Sequence, residues 1–533
     1  MLVPLAAASL TVALAVPASG PARAADIVTP IGLTAAADDD TPTIPADLLG
    51  FSVESADLAH GFLTRDLLAG WLRSLGRHGV LRVGGYSMDL VWPAFGRWAD
   101  EPAPPEAIGG TVDQGDLNQL AALTRATGWK VSIGLPLKRV IDPSKIKDPT
   151  KDPSPAVTLN QAVAEVVAAY RTLGHHLAGV EVGNEYDNVT TLTPAEMWSE
   201  MKRYKTAIDA ALPHAHLKVI GPSANTATTN TKLDDFVSAV RQDTAVNPEQ
   251  VLEEVSSHLY PGSHCGSSHT SIDSLLSASK YAQDQSKLDG ITAIGTRLGD
   301  QVPMTIDETN SASCSGQPGV SDAYAMSLWS LDYLLQDARS GMDRVQFHTN
   351  TAAVCGDFKE RTSPDYPISY RYYGAFCAPD QDALAADHLA AAPLYYGLLA
   401  FSQVPTGRFL DLKLTDDELA ATRAYAVQGP GRRVTLVLIN LEDLALAGST
   451  TQRITVQVPH RLARGTAITL ASADGAGLAS LDASAVTLGG QRVDQAGDMT
   501  GRPHRAPVAV HGDTTTVDVA PGTARIVTLL SKD

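Results

Sequence analysis

The nine residues Leu177-Ala178-Gly179-Val180-Glu181-Val182-Gly183-Asn184-Glu185 form a short apolar run that stops at a glycine and places an Asn-Glu pair just beyond it. So short a run, bounded by glycine and rich in small and β-branched residues, reads as a buried strand centred on Val180 to Val182 rather than as a helix. The pattern recurs at Val302-Pro303-Met304-Thr305-Ile306-Asp307-Glu308, where a second glutamate closes the run. Six further runs match these two: Gly50 to Glu54, Val80 to Val83, Val131 to Leu135, Leu217 to Ile220, Glu254 to Ser257 and Val345 to Phe347. Between them lie stretches with apolar residues at helical spacing, among them Thr158 to Leu173, Pro194 to Ala211 and Val320 to Ala338. Eight strand-helix units in about 300 residues predict a (β/α)8 TIM barrel over 45–405, with a doubly wound open sheet as the alternative.

A last helix, Ala391 to Ser402, ends the alternation, and beyond it the punctuation changes. Arg433 to Ile439, Arg453 to Val458, Ala467 to Ala471, Thr515 to Val519 and Ala524 to Leu530 are β-rich and separated by Gly, Pro and Asp, which predicts a C-terminal antiparallel β-sandwich. The early run Ile27 to Leu33 is expected to pair into it, so that 25–44 and 406–533 make one domain. A chain of 533 residues exceeds what a single core holds, in keeping with two domains.

Composition narrows the partners. Met1 to Ala24 is an apolar stretch ending in Ala22-Arg23-Ala24, a small-x-small cleavage pattern, so a secretion signal and an extracellular protein are expected; a buried N-terminal helix is the alternative, disfavoured by Pro4 and Pro17. The net charge of -18 repels nucleic acid, gives no attraction to anionic membranes and disfavours a polyanionic polymer as substrate. Cys265, Cys314, Cys355 and Cys377 are even in number and spaced unlike metal ligands, so disulfides among loops around one barrel face are expected, with their pairing open. His175, His176, His258, His264 and His269 take no metal-binding spacing, and no phosphate loop, dinucleotide fingerprint or nucleophile elbow is present, so no metal and no cofactor are implied. The Lys- and Pro-rich segment Asp142 to Pro155 reads as a solvated loop.

Barrel enzymes build their sites at the carboxyl ends of strands, where Glu185 and Glu308 fall, on the fourth and seventh strands. Two carboxylates across a barrel mouth are the equipment for cleaving a glycosidic bond, one protonating the leaving oxygen and one attacking the anomeric carbon. Asn184 is placed to bond a sugar 2-hydroxyl, a contact that strengthens in an oxocarbenium-like transition state. Tyr260, in His258-Leu259-Tyr260 after the sixth strand, is placed either to donate to Glu308 or to wall the sugar. Leu81 to Asp89 leaves the second strand: Arg82 can brace a carboxylate, and Gly84-Gly85 lets backbone approach a ligand beside Tyr86 and Asp89. Glu54 is a candidate for sugar hydroxyls or for an ion pair with Arg82. His258 and, past the last strand, Asn350 complete the candidate substrate-binding set, while Asp307 and Glu181 are expected to point elsewhere or to orient partners.

The segments Leu81 to Asp89, Val182 to Glu185, His258 to Tyr260 and Ile306-Asp307-Glu308-Thr309-Asn310-Ser311-Ala312, followed by Ser321-Asp322-Ala323-Tyr324, resemble glycoside hydrolase family 79, which contains the β-glucuronidases and heparanases. The resemblance covers most of the chain and implies a retaining enzyme with Glu185 as acid/base, Glu308 as nucleophile and β-D-glucuronides as substrates. It also implies two tyrosines at the substrate carboxylate, where this chain has Ala312-Ser313-Cys314-Ser315 and Thr351. Either Arg361, Arg371 or a tyrosine of the loop Asp357 to Asp380 replaces them, or the sugar is neutral. That loop also carries Tyr366, Tyr370, Tyr372, Tyr373 and Phe376, which suit either local packing or stacking on a ligand. The expectation is a secreted, cofactor-free retaining β-glycosidase acting on a carbohydrate, with a bell-shaped pH profile and an acidic to near-neutral optimum. Two alternatives stand beside it: the same machinery on a neutral β-glycoside such as a β-glucoside, and a noncatalytic carbohydrate-binding barrel.

Overall fold

The computed structural model describes residues 28–532 except 39, 105–106, 138–155, 300–301, 350–353, 356–371 and 415–419. The expected export segment, the loop Asp142 to Pro155, Asn350, Thr351, Arg361, Tyr366, Tyr370 and Arg371 therefore lie outside the described residues. After β1 (Val28–Thr34), eight strands follow: β2 (Leu49–Glu54), β3 (Val80–Gly84), β4 (Lys130–Leu135), β5 (Leu177–Val182), β6 (Val219–Asn225), β7 (Leu252–Leu259), β8 (Met304–Thr309) and β9 (Arg344–His348). They close in the order β8-β9-β2-β3-β4-β5-β6-β7, all parallel. Because β2 bonds to both β3 and β9, the open-sheet alternative is excluded.

A helix follows each strand in turn: α1 (Arg65–Leu75), α2 (Gln114–Thr127), α3 (Ala156–Leu173), α4 (Pro194–Ala211), α5 (Thr231–Gln242), α6 (Ala278–Gly295), α7 (Ala325–Arg339) and α8 (Pro393–Phe401). Their starts are written in the sequence. Thr193 accepts the amide of Glu196 while Glu196 reaches back to the Thr193 amide, a reciprocal cap with Pro194 at the first helical position.

Strand alternation explains how so apolar a barrel holds a polar site. In β2, Phe51 and Val53 join the apolar shell, where Phe51 stacks 5.9 Å from Trp129 and meets Phe376 edge-on at 5.7 Å. Their neighbours Ser52 and Glu54 are buried among polar side chains instead. The same two-residue period puts Arg82, Ser132, Glu181, Ser256, Gln346 and His348 in the buried polar set. The barrel is thus dry outside and polar within.

The C-terminal region is two packed sheets. β10 (Thr422–Gln428), β11 (Val434–Asn440), β15 (Thr523–Ser531) and β13 (Leu462–Ser472) run antiparallel in that order through the larger one. β12 (Thr451–Gln457) and β14 (Thr514–Val519) belong to the smaller one, whose edge β1 pairs with β12. That pairing is parallel, Ile31 opposite Ile454, so the sandwich is not wholly antiparallel as expected. Ile31, Ile454 and Val517 from one sheet meet Leu436, Leu438 and Val527 from the other in a core of their own. The opposite face of the larger sheet, with Tyr425, Val437 and Ile526, joins the barrel core. There the Tyr425 hydroxyl donates to Asp332 of α7 at 2.6 Å and buried Arg423 pairs with the same carboxylate at 3.1 Å, which fastens the domains together. β10 was not foreseen, since Thr422 to Gln428 alternates alanine with larger residues and lacks a continuous apolar run.

Candidate active site

The site is organised by one guanidinium. Arg82, fully buried on β3, spends its planar fork on several acceptors: Nε and Nη2 each donate to Glu181 at 2.6 Å, Nη2 also donates to Asn184 Oδ1 at 2.7 Å, and Nη1 donates to Ser52 Oγ and Glu308 Oε2 at 2.8 Å each. Burial works against the charge, but Glu181, Asp307 and Glu308 outweigh it and hold the guanidinium well above its ordinary range. Arg82 therefore remains a fixed cation between the strands that carry the two glutamates. Lysine cannot reproduce that geometry.

Glu308, one residue from the end of β8, takes three further contacts. Tyr260 OH donates to its Oε1 at 2.9 Å, His348 Nδ1 lies 3.4 Å from its Oε2, and His258 Nδ1 lies 3.9 Å from its Oε1. Burial would raise its pKa. The charges of His348, His258 and Arg82 and the Tyr260 bond overturn that and hold the carboxyl far below the usual carboxylate range, so it is ionised at any working pH.

Glu185 lies three residues past β5, after Gly183 at φ 74°, where an added Cβ would come 2.8 Å from the Leu137 Cβ. Glu185 itself is left-handed at φ 44°, a conformation that costs a non-glycine residue about 1–3 kcal/mol. Its amide donates to the Ser223 carbonyl at 3.1 Å, which anchors the turn. Asn188 Nδ2 donates to Oε2 at 2.7 Å, Asn225 Nδ2 donates to Oε1 at 3.2 Å, and His258 Nδ1 lies 3.0 Å from Oε1. Burial raises its pKa, but the His258 bond and charge reverse the sign and lower it. The proton therefore rests on His258, whose pKa, pulled down by burial and pushed up more strongly by Glu308, Asp307 and Glu185, stands at about 9.

Both glutamate carboxylates lie within 3.9 Å of one nitrogen, His258 Nδ1. Those two contacts, at 3.0 and 3.9 Å, hold the two Oε1 atoms no more than 6.9 Å apart, so both carboxylates face one small space.

The other sequence candidates divide. Asn184 is brought to the centre, with Oδ1 turned to Arg82 and the donor end of its amide facing away from it. Glu54 Oε2 accepts from Ser87 N at 2.8 Å and Ser87 Oγ at 2.7 Å, and its Oε1 lies 3.5 Å from His348 Nε2; Arg82 takes Glu181 and Glu308 as its close carboxylates. Gly85, at φ 67°, leaves room for that carboxylate, since a Cβ there would meet Glu54 Oε2 at 2.7 Å. Tyr86 is 40% exposed and Asp89 buried, and the rise in the Tyr86 pKa, from burial and then from Glu54 and Asp89, puts the three in one neighbourhood. His258 is fully buried and faces Glu185, Glu308 and Asp307. Asn188, Asn225, Ser52, Ser223 and His348 went unrecognised. Of these only His348, ending an apolar run, carried a local signal.

The cysteines pair as Cys265–Cys314 and Cys355–Cys377, so the first bridge joins the loops after β7 and β8 and the second lies in the loop region after β9. Among the described residues, no group of three or more His, Cys, Asp or Glu side chains is arranged to hold a metal ion, and no helix is long and apolar enough to cross a membrane.

Residues 424–527 match the glycosyl hydrolase family 79 C-terminal beta domain. With that domain behind a closed barrel, the chain is a glycoside hydrolase. No curated protein matches it by sequence. Among solved structures, the chain is similar to a 4-O-α-L-rhamnosyl-β-D-glucuronidase from Fusarium oxysporum 12S in a Rha-GlcA complex, at 19% identity and a TM-score of 0.68 over 94% of this chain and 100% of that one. A family 51 arabinofuranosidase from Xanthomonas axonopodis pv. citri aligns at 14% identity and 0.60 over 93% and 99% of the two chains. A bifunctional glucanase-xylanase from a metagenome library aligns at 14% and 0.59 over 95% and 100%. These likenesses concern the fold.

Proposed function

We propose that the chain is a secreted retaining β-glycosidase in which Glu308 is the nucleophile and Glu185 the acid/base. The observation that carries this is the reach of both carboxylates to one imidazole nitrogen, which suits attack on, and protonation across, a single anomeric centre. In the first step a Glu308 oxygen forms a bond to the anomeric carbon as the glycosidic carbon-oxygen bond breaks. The leaving oxygen takes a proton from Glu185, which draws it from His258 along their 3.0 Å contact. In the second step Glu185 accepts a proton from water, the hydroxide attacks the anomeric carbon, and Glu308 departs as carboxylate. Arg82, Tyr260 and His348 stabilise that departing charge, and Asn184 offers its amide to the 2-hydroxyl.

For the sugar, β-D-glucuronides are our first reading, supported by the family-79 domain and by the glucuronidase named among the similar structures. A neutral β-glycoside is the second. One observation favours it: Arg82 is spent inside the site, and Glu54 and Asp89 bring acid rather than base to the β2 and β3 side. Turnover of nitrophenyl β-glucuronide against nitrophenyl β-glucoside separates the two. The roles themselves are tested with azide, which enters from whichever face loses its carboxylate. Glu308→Gly with azide is expected to give the α-glycosyl azide and Glu185→Gly the β-glycosyl azide; the reverse would exchange the assignments. Two disulfides suit the oxidising compartment that export implies.

A further inference from the structure

Successive residues of a strand turn to opposite faces, so Asp307 and Glu308 on β8 could not both point into the barrel if that strand ran regularly. The strand slips instead: Ile306 lies opposite Ser257 of β7 and Glu308 opposite His258, which leaves Asp307 as the extra residue of a bulge. Both acids then face the same guanidinium, Glu308 Oε2 at 2.8 Å from Arg82 Nη1 and Asp307 Oδ2 at 4.0 Å from Arg82 Nε. Glu308 keeps some exposure, whereas Asp307 is buried and offers no surface to a substrate.

What Asp307 does face is the back of an imidazole. Its Oδ2 accepts from Ser223 Oγ at 2.6 Å, and its Oδ1 lies 3.7 Å from His258 Nε2. Among the described residues neither of these last two buried atoms has a hydrogen-bond partner. Nδ1 of the same ring lies 3.0 Å from Glu185 Oε1, so the imidazole stands between two carboxyls. A buried N–H and a buried carboxylate oxygen left unpaired side by side are costly unless they serve one another. A small turn of the ring would close the gap, as catalytic hydrogen bonds that are long in the free enzyme tighten when the site fills. The other charged groups around the ring are Glu308 on β8, at 3.9 Å from Nδ1, Glu181 on β5, Asp187 beyond β5, and Arg82 on β3. Of the three carboxylates within 4 Å of the ring, Asp307 is the one on the Nε2 side.

We propose that Asp307 is a positioning residue that fixes the tautomer of His258: it keeps a proton on Nε2, so that the proton free to leave the ring is the one on Nδ1, toward Glu185. The proposal rests on the retaining-glycosidase reading above. In glycosylation the Nδ1 proton moves to Glu185 as Glu185 gives a proton to the leaving oxygen, and the ring is left neutral with its Nε2–H directed at Asp307. In deglycosylation the proton that Glu185 takes from water returns to Nδ1, so the pair is restored and Asp307 gains no proton at either step.

Two measurements on the full chain test this. In the unaltered protein carrying isotope-labelled histidine, the imidazole nitrogen resonances of His258 are assigned by their loss in His258→Asn. They are expected to show both nitrogens protonated below the alkaline limb of activity and Nε2–H alone above it; a neutral ring with its proton on Nδ1 would overturn the proposal. In Asp307→Asn the alkaline limb of kcat/KM on an aryl β-glycoside should fall by about one pH unit or more, the effect of losing one close charge, and the His258 titration should move with it. A limb and a His258 titration that both stay in place, even with kcat reduced, would mark Asp307 as merely structural and overturn the proposal while leaving the glycosidase reading intact. No turnover of any aryl β-glycoside by the unaltered enzyme would overturn both.

Discussion

His258→Asn isolates where the site keeps its proton. In the folded protein the Glu185–His258 pair holds one proton up to about pH 9, because Glu308, Asp307 and Glu185 outweigh the burial that opposes a charged imidazole. In the proposed mechanism glycosylation consumes that proton, so activity should fall on the alkaline side only as pH rises through the pair's shared value. Asparagine can still donate to Glu185 but cannot store a proton. The acid would then be Glu185 alone, pushed up by burial and by Glu308 but without the proton that His258 stores behind it. The alkaline limb of kcat/KM should therefore move to lower pH in the variant. Below that limb the variant should stay within about tenfold of the parent, the worth of one altered hydrogen bond. The assay is a pH profile on an aryl glycoside of the preferred glycone. A limb that stays in place would show that His258 does not share the acid's proton, and the protonation scheme would be discarded.

Other consequences follow from the same contacts. Since the folded His258 value exceeds 6.5, its stabilisation is fully present below about pH 6.5 and lost as pH rises through about 9; the unfolding temperature should fall across that window less steeply in His258→Asn than in the parent. Arg82→Met leaves Glu181 buried without its partner, and removal of one member of a buried pair costs about 3–5 kcal/mol, read as a lowered urea midpoint together with lost activity. Tyr260→Phe removes a bond to an ionised carboxylate worth about 1.5–3 kcal/mol, so kcat/KM should drop roughly 10- to 150-fold with little change in unfolding temperature. Reduction of the bridges, which close loops of 49 and 22 residues, releases about 4 and 3 kcal/mol of loop-closure entropy, so a reducing agent should lower the thermal midpoint.

The sequence by itself determined the period and the punctuation. Apolar runs stopping at Gly183 and Asp307, helical spacing between them, and the change of turn signals after about residue 405 were enough for a barrel followed by a β-domain, and for Glu185 and Glu308 as the pair to watch. These features are local, so composition and spacing carry them. Closure of the sheet, the parallel entry of β1 and the pairing of the cysteines are relations between distant segments, and only the fold chose among their alternatives. The same holds for the supporting network. Nothing near Arg82 in the chain says that it will join Glu181, Asn184 and Glu308, or that His258 will face both catalytic candidates. Strand alternation turned those side chains inward, but which of them met depended on eight strands closing at one register. His258 lowers the Glu185 pKa where burial alone would raise it, because electrostatics is a property of neighbours in space.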